Sequence, residues 1–169
     1  MNSKLQKVAS AVLQSERIPF SIQVRCFHGN QVDICVHRFG DPSKIAETAD
    51  KLRWYRYKNA LRQRDVAKAV GTDRTTCKRY EEAGYEYHPG DVMEKIAALF
   101  GVPVEELLDN YNLFLYRDQG RQIQEKRLEL GMTQREYADR LGVPYASLGR
   151  WERDKMRIAK GTWEKMLGE

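Results

Sequence analysis

The sequence predicts a mainly α-helical chain of two tandem small domains, preceded by a short helix and a β-hairpin. Three observations predict this: apolar residues at helical spacing from Ile45 onward, an ungapped self-match that lays Gln63 on Gln134, and an alternating pattern confined to residues 20–36. Composition agrees with several small cores rather than one large one. At 169 residues, 41% hydrophobic and 31% charged, the chain can fold two domains of about 60 residues each with little apolar surplus.

Within residues 1–14, Leu5, Val8, Ala9, Val12 and Leu13 recur at helical spacing and give a short amphipathic helix. Phe20, Ile22, Val24 and Cys26 then alternate on one face of a strand. Val32, Ile34 and Val36 do the same on a second, across a turn at His28, Gly29 and Asn30. Such a hairpin is marginal alone. The N-terminal helix, the next domain or a second copy of the chain must cover its apolar face. Gly40, Asp41, Pro42 and Ser43 punctuate the chain, with Ser43 the expected N-cap of the following helix. The expected organisation is residues 1–46 as helix and hairpin of unassigned role, 47–109 as a five-helix domain and 112–169 as a domain of four helices.

The self-match decides the reading. With the chain laid over itself in that register, Gln63 falls on Gln134, Arg64 on Arg135, Ala67 on Ala138, Gly71 on Gly142, Arg79 on Arg150 and Glu81 on Glu152. Upstream, Leu52 meets Ile123 and Arg56 meets Arg127. Where residues match only in kind they stay apolar: Val70 with Leu141, Cys77 with Leu148, Tyr80 with Trp151. Two copies are fewer than a solenoid ordinarily needs, and a solenoid gives no reason for glutamine to open the second helix twice.

Each copy derives as two short helices crossing at a tight turn. Ala67 or Ala138 lets another helix approach closely. Gly71 or Gly142 follows the last apolar residue, where a left-handed backbone is cheap only for glycine. Asp73 caps the next helix in the first copy. Cys77 and Tyr80, or Leu148 and Trp151, then face inward and leave Arg74, Thr75, Lys78 and Arg79 outward. The stretches MTQREYADRLGVPYASLGRWER and LRQRDVAKAVGTDRTTCKRYEE resemble the Cro/CI-type (Xre, lambda-repressor-like) helix-turn-helix family of transcriptional regulators. The second of these departs from the family pattern at Arg62, in place of a threonine cap, and at Cys77, in place of a branched aliphatic. HPGDVMEKIAALFGVPVEELL resembles the family's fourth and fifth helices, and KGTWEKMLGE leaves room for a fourth only.

The resemblance implies double-stranded DNA as partner, with the third helix of the first copy in the major groove; the third helix of the second copy either enters the groove in the same way or serves a protein-interaction role. Arg74, Thr75 and Lys78 are then the base-contacting residues of the first domain, and Tyr145, Ala146 and Gly149 those of the second. Gln63, Arg62, Arg64 and Thr76, with Gln134, Arg135 and Ser147, are the expected backbone contacts. The basic run Arg153, Lys155 and Arg157 adds to the grip of the second domain. Arg79 has two readings, a phosphate contact or an internal salt bridge; its recurrence beside Glu81 and Glu152 favours the bridge. The net charge is +5, but its distribution says more. Residues 51–79 hold ten basic side chains against two acids, net +8, while residues 81–109 hold eight acids against one base, net −7.

Other classes find little support. Cys26, Cys35 and Cys77 form no paired motif, and His28, His37 and His88 are scattered, so no metal, cofactor or small-molecule site is expected. No glycine-rich phosphate loop or nucleophile elbow points to an enzyme. No signal peptide or membrane-length apolar run appears, so a soluble cytoplasmic protein is expected. A sequence-specific repressor is the leading reading, and an antitoxin-like or adaptor protein that uses the same folds as docking surfaces is the alternative. The two domains act as a pseudo-dimer, or residues 1–46 pair two chains into a homodimer.

Overall fold

A computed structural model describes residues 41–168. The helix and hairpin predicted for the N-terminal segment, and the chain pairing assigned to it, lie outside the described residues. Ten α-helices follow one 3-10 turn, with no strand among the described residues. They divide into two compact units, and the division falls between Asp109 and Asn110. None of the described helices is long and apolar enough to cross a membrane.

The first unit holds α1 (Thr48–Lys58), α2 (Gln63–Val70), α3 (Arg74–Tyr80), α4 (Gly90–Phe100) and α5 (Val104–Leu107). Asp41, not Ser43, is the cap at its entrance. The Asp41 carboxylate accepts the Ser43 N–H at 2.9 Å and opens a 3-10 turn over Pro42–Lys44, because Pro42 supplies the required φ and has no N–H of its own to satisfy. Helix α1 is tied to the far end of the unit. The Thr48 hydroxyl donates to Asp109 at 3.0 Å and accepts the Asp109 N–H at 2.8 Å, while Lys51 donates to the Leu108 carbonyl at 2.8 Å. Leu52, Val66, Ala67, Cys77, Tyr80, Met93, Ile96 and Leu107 are buried in the core.

The second unit holds α6 (Asn110–Tyr116), α7 (Gln119–Glu129), α8 (Gln134–Leu141), α9 (Tyr145–Trp151) and α10 (Lys160–Leu167). Helix α6 precedes the part of the chain that the repeat covers. It contributes Tyr111 and Phe114, whose rings lie 5.4 and 6.1 Å from the Trp163 ring. Ile123, Tyr137, Ala138, Leu141, Leu148, Trp151, Ile158 and Met166 complete one core.

The turn between the crossing helices is built alike in both units. Gly71 and Gly142 sit at φ 76° and 68°, in the left-handed region. The next N–H reaches back to the alanine carbonyl at 2.9 Å in each: Thr72 to Ala67, Val143 to Ala138. The caps differ. Thr133 and Glu136 form a reciprocal capping box. Arg62 has no acceptor to offer, so only half survives, its N–H donating to the Asp65 carboxylate at 2.9 Å.

Candidate nucleic-acid interface

A buried polar frame fixes the third helix of each unit. Arg56 of α1 meets Glu81, at the end of α3, with Nε–Oε1 2.6 Å and Nη2–Oε2 2.7 Å. Gln63, opening α2, donates to the same carboxylate at 3.0 Å, and Arg56 also donates to the Leu61 carbonyl at 3.2 Å. All four contacts recur at the matching positions of the second unit. Arg127 binds Glu152 at 2.7 and 3.3 Å, Gln134 donates to Glu152 at 2.6 Å, and Arg127 donates to the Met132 carbonyl at 2.9 Å. One carboxylate thereby locks three helices together, which sets how α3 and α9 are presented.

This corrects the preference for Arg79 as the partner of the closing glutamate. Arg79 is exposed, and the carboxylate it was matched with is occupied by Arg56. Sequence proximity misled here: on a helix, residues two apart do not face one another.

Arg74, Thr75, Lys78 and Arg79 are all exposed on α3, while Cys77 and Tyr80 are buried. Arg62 and Arg64 are exposed at the start of α2, with Gln63 half-buried between them. Thr76 is placed differently from expectation. Its N–H and hydroxyl both donate to the Asp73 carboxylate, at 2.9 and 2.5 Å, so the side chain serves the cap. Three of the ten cations in residues 51–79 are partly or fully withdrawn by internal contacts, Arg56 on Glu81, Lys51 on the Leu108 carbonyl and Arg53 on Asp50 at 2.6 Å, while Arg64 and Lys78 make exposed ion pairs with Asp65 at 3.8 Å and Glu82 at 3.7 Å. The seven that remain exposed are Lys58, Arg62, Arg64, Lys68, Arg74, Lys78 and Arg79, and all but Lys58 lie on α2, α3 or the α2 cap.

In the second unit Tyr145 is 57% exposed at the start of α9. It lines an open groove of about 690 Å³ with Thr133, Gln134, Arg135 and Asp139. Ala146 is exposed and Ser147 half-buried. Gly149 corrects an expectation. It is buried, so it presents no surface to a base; the Arg153 guanidinium lies over it, with Nη2 3.2 Å from where a Cβ would stand. Sequence reasoning could not see this, because the covering residue comes from beyond the helix. Arg153, Lys155 and Arg157 are exposed in the segment that follows α9.

One buried histidine holds the end of α3. His88, 3% exposed, has Nε2 2.9 Å from the Tyr80 carbonyl and packs against the Tyr80 and Tyr85 rings. Burial pushes its pKa below the ordinary 6.5, outweighing the Tyr80 carbonyl and the Asp109 and Glu47 carboxylates, which favour the charged ring. The folded pKa is thus the lower one. Above pH 6.5 both states hold a neutral ring; below it the unfolded chain takes up a proton that the fold resists, and stability falls until the folded ring titrates. Urea midpoints of the first domain should decline between pH 7 and 5 more steeply in the wild type than in His88→Gln. Parallel curves would show that burial does not control this ring.

Two family models match the chain. One described as helix-turn-helix covers residues 123–168, and one described as a helix-turn-helix domain covers residues 47–109. No curated protein and no solved structure matches the chain. The matched ranges take in the duplicated frame and both third helices. The chain belongs to the helix-turn-helix regulators that bind DNA, and carries two such domains in tandem, the second of Cro/CI type.

Proposed function

We propose that this protein is a sequence-specific regulator of transcription that binds double-stranded DNA and represses by occupying its site. The carrying observation is α3: Arg74, Lys78 and Arg79 project from a seven-residue helix that has no acid of its own, and the Arg56–Glu81–Gln63 frame holds that helix in place. A rigid cationic helix is what major-groove entry requires, because side chains held in fixed positions lose little freedom on meeting base edges. Arg74 and Lys78 suit guanine O6 and N7, and the Thr75 methyl suits thymine. Arg62, Arg64 and Gln63, at the start of α2, grip the phosphates beside the groove. In the second domain Tyr145 and Ala146 reach for the duplex, with Gln134, Arg135 and Ser147 at the backbone.

Selection from random duplex DNA followed by footprinting tests the reading. A single preferred site is the expected result. Arg74→Ala and Lys78→Ala should each cost about 1–3 kcal/mol at that site and relax the preference at one or two positions. If the selected pool stays random, or if both variants keep the wild-type preference, α3 is not the reading helix.

A further inference from the structure

The repeat leaves one position where the two third helices are chemically opposed. Lys78 of the first domain falls on Gly149 of the second, so a lysine side chain is replaced by bare backbone in the middle of a helix, at a cost of about 1 kcal/mol relative to alanine. The Arg153 guanidinium lies closely over the bare backbone there, 3.2 Å (Nη2) and 3.5 Å (Nη1) from the position of a Cβ. Arg153 is itself exposed, so its charge faces solvent over the helix.

The segment carrying Arg153 is held on both sides. Glu152 before it is bound by Arg127 and Gln134. Asp154 after it, at φ 53°, accepts the Gly120 N–H at 3.0 Å. Gly120 in turn admits this approach only as glycine, since a Cβ there would lie 2.6 Å from the Asp154 carboxylate and 2.8 Å from the Glu152 carbonyl. Further on, Gln119 pairs with the Met156 carbonyl at 2.7 Å and the Ile158 N–H at 3.1 Å, and Tyr111 donates to the Ile158 carbonyl at 2.7 Å. Arg153 therefore sits on a braced segment, aimed back along α9.

We infer that Arg153, seated on Gly149, is a duplex-contacting cation at the third helix of the second domain and stands in the place that Lys78 fills in the first. The inference rests on the duplex-binding reading above. It also accounts for the third helix of the second domain having only Arg150 as a charge of its own: its cation at this position arrives from the following segment. Position 149 and residue 153 then form one unit, in which a long side chain at 149 would have to shift the Arg153 guanidinium from its seat.

The test is a charge exchange in the full chain, read by duplex affinity on the selected site at two salt concentrations, with thermal melting to confirm folding. Arg153→Ala should weaken binding roughly tenfold and reduce the salt slope by about one. Adding Gly149→Lys to that variant, which puts a lysine at the position that Lys78 holds in the first domain, should recover most of the loss. An unchanged affinity in Arg153→Ala, or no recovery in a folded double variant, overturns the inference while wild-type binding stands. A wild type that binds no duplex overturns the functional reading and this inference with it.

Discussion

Arg56→Ala should destabilise the first domain by about 3–5 kcal/mol, the range found when one partner of a buried ion pair is removed. The geometry places the pair in that class. The two side chains are 7% and 6% exposed, and two short contacts of 2.6 and 2.7 Å join them. Burial works against charge on Arg56, but the hydrogen-bonded Glu81 carboxylate outweighs it and holds the guanidinium above its ordinary pKa. Without Arg56, Glu81 keeps only the Gln63 amide among the contacts of the frame, too little to stabilise a buried carboxylate. Denaturant unfolding followed by circular dichroism should show the first domain's transition moving and the second domain's staying in place. The reciprocal variant, Arg127→Ala, should reverse that pattern. A double replacement, Arg56→Met with Glu81→Leu, should fall within about 1 kcal/mol of the wild type or exceed it, because no stranded charge remains. Single and double variants of equal stability would mean that the frame contributes no more than a surface pair. The stable double variant should still lose duplex affinity, since Gln63 then has no carboxylate to hold it beside α3.

The features that sequence alone revealed are those set by local rules. The crossing helices, the glycine at each turn, the Asp73 cap and the inward pairs Cys77–Tyr80 and Leu148–Trp151 all follow from short, regular spacings that helix geometry fixes. The frame was half visible: Arg56 recurs plainly at Arg127, but its partner Glu81 lies two helices further along the chain, and linear proximity offered Arg79 instead. Thr76 looked available because its competing acceptor, Asp73, was assigned to the backbone alone. Gly149 was the least legible. Its meaning depends on where a later segment returns in space, and that path is set by Gly120, Asp154 and Gln119, none of which the repeat includes as a match.

Tyr137→Ala should cost the second domain about 3–5 kcal/mol, the range for emptying a buried aromatic site. Tyr137 is 0% exposed and shares a core with Leu148, Trp151, Ile158 and Trp163. The more telling variant is Tyr137→Val, because valine is what the first domain carries at the matching position, Val66. Were the two cores interchangeable, that substitution would be nearly neutral. They are not built alike. The first domain fills its core with Met93, Ile96 and Phe100 from a long α4, and Val66 and Cys77 line only a cavity of about 10 Å³. The second domain pairs the larger Tyr137 and Leu148 at the same two places, against Trp163 and Met166 of α10. Valine at 137 therefore leaves a void that its neighbours cannot close, and most of the loss should remain, visible as a lowered denaturant midpoint of the second transition. Helix α8 also carries Gln134 and Arg135 at its start, so the loosened core should weaken duplex binding as well, by misplacing them. A Tyr137→Val protein with wild-type stability would show that the volume match between α8 and α9 does not govern this fold, and that the Arg127–Glu152–Gln134 frame holds α9 without it.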